Sequence, residues 1–400
     1  MSVFKQLTRR QLSHLLVIIF VLFFDMVLYS FIIPMVPYLK ETYTLNASMM
    51  GILFSMYAIS LFLTTPFFGR LTDRVGRKYT ILIGLFSLTI STLLFAFSTS
   101  IFMLLLARFI QGAAAAASWT AAFALLADLF HKEQRGPVMG IALTGVSTGT
   151  LLGAPISGFL FDLGGYQLPF IITASGLFIL SVVTIFILKE PIRQKQETST
   201  NMRSLLKNKT VVFILAIILL GETTLVLLEP LLPAFITERF HTSSSEIGLI
   251  FAIITIGYGM MAPISGALSN HLHPHIVMIG SLIILAFLLP WLVFTTSLWQ
   301  TMLVGFLVGA MIGAVISPTM TSLGEAVDEN NNENYGTAYG LSNMALAVGM
   351  MIGPTITGVL ADMFSIPTVM IVISISLFLS SVLLSIVNPK KQILTKIERN

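Results

Sequence analysis

The chain has 400 residues, of which 56% are hydrophobic and only 10% charged, with a formal net charge of +4 and no cysteine. A soluble protein carries about 25% charged residues, so water is excluded as the main solvent, and the missing cysteines exclude disulfides, thiolate metal sites and cysteine nucleophiles. The apolar residues fall in runs of about 20, enough at about 1.5 Å per residue to cross a hydrocarbon core of about 30 Å, which predicts an all-α membrane protein.

The first predicted span, 13–37, follows Lys5, Arg9 and Arg10 in the manner of a signal peptide. Its apolar stretch is too long for one and lacks a small-residue cleavage site, so it reads as a retained helix 1. Spans at 48–68, 79–99, 101–126, 137–161 and 168–188 complete a first six-helix bundle, 1–188. The hydrophilic stretch 189–210 reads as a linker with a surface helix around Met202 to Lys207. Spans at 211–236, 246–268, 276–296, 299–322, 336–361 and 366–388 then form a second six-helix bundle, 211–400.

Twelve spans place alternate loops on the same side, and the basic residues divide sharply between the two sides. Lys5, Arg9, Arg10, Arg70, Arg74, Arg77, Lys78, Lys132, Arg135, the linker and Lys390, Lys391, Lys396 and Arg399 share one side; Lys40 and Arg239 are alone on the other. Both termini and the linker are therefore expected in the cytoplasm, with the chain in the cell membrane. The basic balance reflects topology and implies no nucleic-acid partner. The acidic loop 324–334 is cytoplasmic too, which is tolerated because acids contribute little to orientation.

The halves repeat each other. GTLLGAPISG (149–158) matches GMMIGPTITG (349–358), and Gly51, Phe54, Pro66 and Gly69 answer Gly248, Phe251, Pro263 and Gly266. Pro34 and Pro37 likewise answer Pro230 and Pro233. A parallel repeat of six helices suits two bundles rocking about a midplane site, which is alternating access. Gly149, Gly153, Pro155, Gly158, Gly349, Gly353 and Pro354 would serve either that motion or plain close packing.

Ionised side chains at mid-bilayer cost about 2.5 to 3.5 kcal/mol each, so the few present mark a function. Asp25 lies about 18 Å along helix 1, near the midplane. Glu222 and Glu229 lie two turns apart on helix 7, about 10 Å from each other, and could act as successive proton stations. Glu222 falls one position from the repeat mate of Asp25, so the two acids are expected to enter one cavity from opposite bundles. Arg108 is the comparable buried cation, read as a brace for helix 4 or an aid to proton release. The excess of acid favours a positively charged substrate. Tyr29, one turn from Asp25, either stacks on an ammonium group or packs. Tyr57, Trp119, Tyr258 and the methionines suit an adaptable apolar pocket, although each alone reads more simply as packing.

GRLTDRVGRK, Gly69 to Lys78, resembles the loop signature of the major facilitator superfamily, and RFIQG (Arg108 to Gly112) and GTLLGAPISG resemble two further signatures of its drug and proton antiporters. FFDMVLYSFIIPMVPYL, RGPVMGIAL and LLEPLLP resemble the vesicular monoamine transporter branch and its bacterial relatives. The resemblance implies the major facilitator fold and a cationic amine or amphiphilic drug exchanged for protons, with Asp25 and Glu229 as substrate-facing acids. Because the loop from Gly69 to Lys78 is expected in the cytoplasm, Asp73 and the arginines Arg74 and Arg77, with Gly69 and Gly76, read as a conformational latch of charge pairs and helix-end interactions. The chain departs from that branch at Tyr57, Ile316 and Asn343, where a lysine and two acids are expected. Glu222 stands where the branch is amide-like and either supplies a proton site or hydrogen-bonds a neighbouring helix as a neutral carboxyl.

The expected mechanism is competition of proton and cation for one carboxylate, driven by the proton gradient without any cofactor, in a monomer. The alternatives are a transporter of a neutral metabolite such as a sugar, for which these helices are poor in amide and guanidinium donors, and a lipid-linked flippase. No nucleotide-binding loop is present, which speaks against an enzyme or ATP-driven pump. His271, His273 and His275 resemble a metal tract but read as a solvated loop, with no metal expected.

Overall fold

The computed structural model describes residues 8–130, 132–190, 205–269, 271–328 and 335–387. Among the described residues there is no strand, and twelve helices are long and apolar enough to cross a membrane. In chain order these are α1 (Arg9–Thr42), α2 (Ala47–Val75), α3 (Arg77–Ala96), α4 (Ile101–Leu129), α5 (Pro137–Gly164) and α6 (Gln167–Ile187). The second six are α7 (Lys209–Phe240), α8 (Ser244–Leu268), α9 (Pro274–Phe294), α10 (Leu298–Val327), α11 (Ala338–Met363) and α12 (Ile366–Val387). Most of the expected linker (191–204), part of its surface helix, part of the acidic loop (329–334), Lys5 and the C-terminal basic residues lie outside the described residues.

Several helices run past the apolar stretch that predicted them, because a cap and not the end of the hydrophobic run stops the chain. At the start of α1, Thr8 Oγ1 accepts from the Gln11 N–H at 3.2 Å while the Gln11 side chain accepts from the Thr8 N–H at 3.1 Å, a reciprocal capping box. Ser100 caps α4 and Asn208 caps α7 through their side-chain oxygens.

Prolines set a matching irregularity in α1 and α7. α1 tightens into a 3-10 turn at Ile33–Met35 before continuing as Val36–Thr42. α7 is interrupted at Leu227, between Lys209–Val226 and Leu228–Phe240. Pro34 and Pro230 lack the N–H that would bond the preceding turn, so the ladder breaks just before each.

The helices sort into two compact units, Met1–Leu45 with Leu53–Gln196 and Thr242–Ala252, and Asn46–Ile52 with Glu197–His241 and Ile253–Asn400. In the first, α1 pairs with α5, and α3 with α4 and α6. In the second, α7 pairs with α11, and α9 with α10 and α12, the same arrangement six helices on. The first turns of α8 thus cluster with the first unit, and those of α2 with the second.

Each of those helix starts is capped by an aspartate of its own unit. In the first unit, the Asp162 carboxylate accepts from the Ser245 N–H at 2.9 Å and from its hydroxyl at 2.5 Å. In the second, Asp362 accepts from the Ala47 and Ser48 N–H groups at 2.8 and 3.0 Å. A carboxylate at a helix N-terminus satisfies open N–H groups and meets the positive end of the helix dipole.

Backbones approach closely along the pairing helices. A Cβ on Gly149 would strike the Phe23 carbonyl of α1, and one on Gly349 would lie 3.0 Å from the Glu222 Cβ of α7. On the outside of the helices, large apolar residues such as Phe102, Phe186, Trp299 and Leu379 are exposed, as expected where lipid is the solvent.

Candidate substrate and proton site

Asp25, in the middle of α1, is completely buried in the first unit. Its Oδ2 accepts two hydrogen bonds, from the Trp119 indole Nε1–H of α4 at 2.7 Å and from the Tyr57 hydroxyl of α2 at 3.1 Å. Its other oxygen, Oδ1, is buried and has no hydrogen-bond partner among the described residues. The Tyr29 ring lies against the Tyr57 ring with centroids 5.1 Å apart.

Arg108 stands beside this group and is also completely buried. Its guanidinium lies 5.5 to 6.0 Å from the centroids of the Phe54, Tyr29, Phe95 and Tyr57 rings. It donates to the Gln111 side chain at 3.0 Å and to the Tyr29 carbonyl at 3.3 Å. A guanidinium is planar and weakly hydrated, so aromatic faces and fixed acceptors suit it in a buried position. Gly112 lets α4 come this close to α2, since a Cβ there would strike the Tyr57 carbonyl.

Asp25, Tyr29, Tyr57 and Arg108, which the sequence singles out separately, therefore form one cluster. Trp119 joins it with a specific role that its sequence context did not reveal. A tryptophan in an alanine-rich helix reads as packing, and only the rotation of α4 toward α1 makes its N–H a partner of the acid.

The acids of α7 are placed in the second unit. Glu222 is half-buried beside Gly349. Glu229 is 6% exposed in the first turn after the break in α7, a favourable place for a carboxylate. Asn343 is exposed on α11, and Tyr258 is half-buried on α8.

At the loop between α2 and α3, Arg77 pairs with Asp73 at 2.6 Å and with Asp128 of α4 at 2.9 Å. Gly76 has φ +117°, a conformation that L side chains rarely adopt. Its position brings the Glu190 carboxylate onto the start of α3, where it accepts from the Arg77 and Lys78 N–H groups at 2.7 and 3.0 Å. Asp128 and Glu190 were not foreseen. Arg74 is exposed, and a Cβ on Gly69 would meet only the Thr120 methyl at 4.0 Å. Gly153 packs on Val27 of α1, Gly353 on Thr223 and Val226 of α7, and Gly158 on Ser244. Pro155 and Pro354 both lie inside their helices. His275, expected in a solvated loop, is instead buried against the Phe213 ring, because α9 begins at Pro274 and carries it inward. His271 and His273 are exposed.

Residues 18–235 and 211–400 both match the sequence profile of the Major Facilitator Superfamily. The human synaptic vesicular amine transporter is 30% identical over 327 residues, 81% of this chain and 64% of that protein. Multidrug resistance protein 2 of Bacillus subtilis is 33% identical over 174 residues, 43% of each chain. The match thus spans less than two thirds of the length of the amine transporters. In three dimensions the chain is similar to a bacterial homolog of the human lysosomal transporter Spinster, with a TM-score of 0.77 at 15% identity over 95% of this chain and 96% of that one. The nucleoside transporter NupG gives a TM-score of 0.76 at 14% identity over 96% and 100%.

Proposed function

Because the chain belongs to the major facilitator superfamily, whose profile covers nearly all of it, we propose that it is a proton-coupled antiporter that exports cationic amphiphilic drugs or amines by alternating access. The observation that carries this reading is Asp25: a carboxylate completely buried in mid-helix, held by two neutral donors on one oxygen and without a hydrogen-bond partner among the described residues on the other. Such a group can hold a proton or a cation, one at a time. Occupancy by one then excludes the other, which couples the two flows. The similarity to an amine transporter and to a multidrug resistance protein supports the same choice of substrate.

On this reading Glu222 is a second proton site, Glu229 lines the cavity, and Tyr29, Tyr57 and Asn343 contribute to substrate contact. Arg108 braces α4 under the site. The loop from Gly69 to Arg77 and the Gly–Pro segments of α5 and α11 govern the conformational cycle. The protein works as a monomer in the cell membrane, with bundles 1–188 and 211–400, the linker 189–210 and both termini on the cytoplasmic side.

Purified protein in proteoliposomes with an imposed pH gradient tests the proposal against a panel of cationic, neutral and anionic compounds. Proton movement is expected with cations alone, and Asp25→Asn is expected to abolish it. Movement elicited only by sugars, or undiminished antiport in Asp25→Asn, would overturn the reading.

A further inference from the structure

The two hydrogen bonds at Asp25 are not equivalent. Both end on Oδ2, but the tyrosine hydroxyl can donate or accept, whereas an indole N–H can only donate. A proton on Oδ2 could be given only to the Tyr57 oxygen, which would turn that hydroxyl away and lose its own donation to the carboxyl. A carboxyl protonated on Oδ1, like the ionised carboxylate, keeps both hydrogen bonds as they stand. Oδ1 is the oxygen left without a partner among the described residues.

We propose that Trp119 is a positioning residue: it pins Oδ2 of Asp25, with Tyr57, so that proton and cation exchange at the single atom Oδ1. The inference rests on Asp25 being the exchange site. It adds that a side chain from α4, which need not touch the substrate, decides which oxygen reacts and at what pH the cation displaces the proton. Arg108 of α4, Tyr57 of α2 and Tyr29 of α1 are the other charged or titratable groups around Asp25. α6 has no ionisable group, and those of α3 and α5 lie at their ends. A donor to the ionised form favours that form, so removing it makes the carboxyl hold its proton to higher pH.

The test is binding of tetraphenylphosphonium, whose charge does not change with pH, to the purified full chain between pH 5 and 9. Trp119→Phe keeps an aromatic ring and removes the N–H. It is expected to move the midpoint of binding upward by about one pH unit, a tenfold change in proton affinity, while affinity at the alkaline limit changes less than about threefold. Tyr57→Phe should move it in the same direction. A residue that merely packs would instead lower affinity equally at every pH.

Difference infrared spectra supply a second readout. The band of the protonated carboxyl, lost on cation binding and absent from Asp25→Asn, should shift to higher frequency in Trp119→Phe as its C=O loses a donor. Should Trp119→Phe not fold, Trp119→Leu, which also lacks the N–H, carries both measurements. An unmoved midpoint and band in these variants, with pH-dependent binding abolished by Asp25→Asn, would overturn the role of Trp119 and leave the exchange site standing. Wild-type pH dependence in Asp25→Asn would remove the exchange site itself.

Discussion

At the residue scale, Arg108 is the other half of the chemistry around Asp25. Four rings and two acceptors hold its guanidinium, and lysine reproduces neither the flat stacking surface nor the forked donors. Arg108→Lys is therefore expected to cost about 2 kcal/mol, seen as a lower unfolding temperature in detergent, even though it preserves charge. The acid and the arginine could both be found in the sequence, since each is a rare charge in an apolar run. Tyr29 and Tyr57 were found beside them, but the hydrogen bond from Trp119 was not. Trp119 is one of many bulky residues on α4, and its link to Asp25 depends on helix rotation, which a period of 3.6 residues determines only to within tens of degrees. His275 shows the opposite case, where three spaced histidines suggested a loop and one of them belonged to a helix.

Helix contacts in each unit pass through glycine, and the space at each glycine separates packing from mere propensity. A Cβ on Gly149 would strike a backbone carbonyl that cannot yield as a flexible side chain would, whereas one on Gly140, on the same helix, meets nothing within 4 Å. Gly149→Ala is expected to cost about 1 to 3 kcal/mol, and Gly140→Ala to gain about 0.5 to 1 kcal/mol, in parallel thermal unfolding measurements. The aspartate caps invite a similar comparison. Asp162→Ala and Asp362→Ala should each cost about 1 kcal/mol, and because they cap different helices the double variant should cost about their sum. These caps were legible in principle: Asp162 and Asp362 stand at the same interval as Gly158 and Gly358, and Ser245 at the interval from Ser48 that separates Gly51 from Gly248. What the alignment lacks is any sign of which helix start each carboxylate meets.

For the whole molecule, hydrophobic runs sufficed to locate the spans, because a bilayer imposes a length that no other solvent does. Their ends were less legible, since caps such as Thr8 and Asn208 set them. Sidedness rests on the distribution of lysine and arginine, and the cysteine-free sequence makes it open to direct measurement. A single cysteine at Gln196 should react with an impermeant maleimide only after the membrane of intact cells is breached, and one at Thr44 without breaching. The repeated pairing of α1 with α5 and α7 with α11 has a further consequence. Where glycines let backbones touch, the scaffold is specified largely by main-chain shape and little by the side chains that line a cavity. A lineage built this way can change such side chains and drift from one transported compound to another while its architecture stays put.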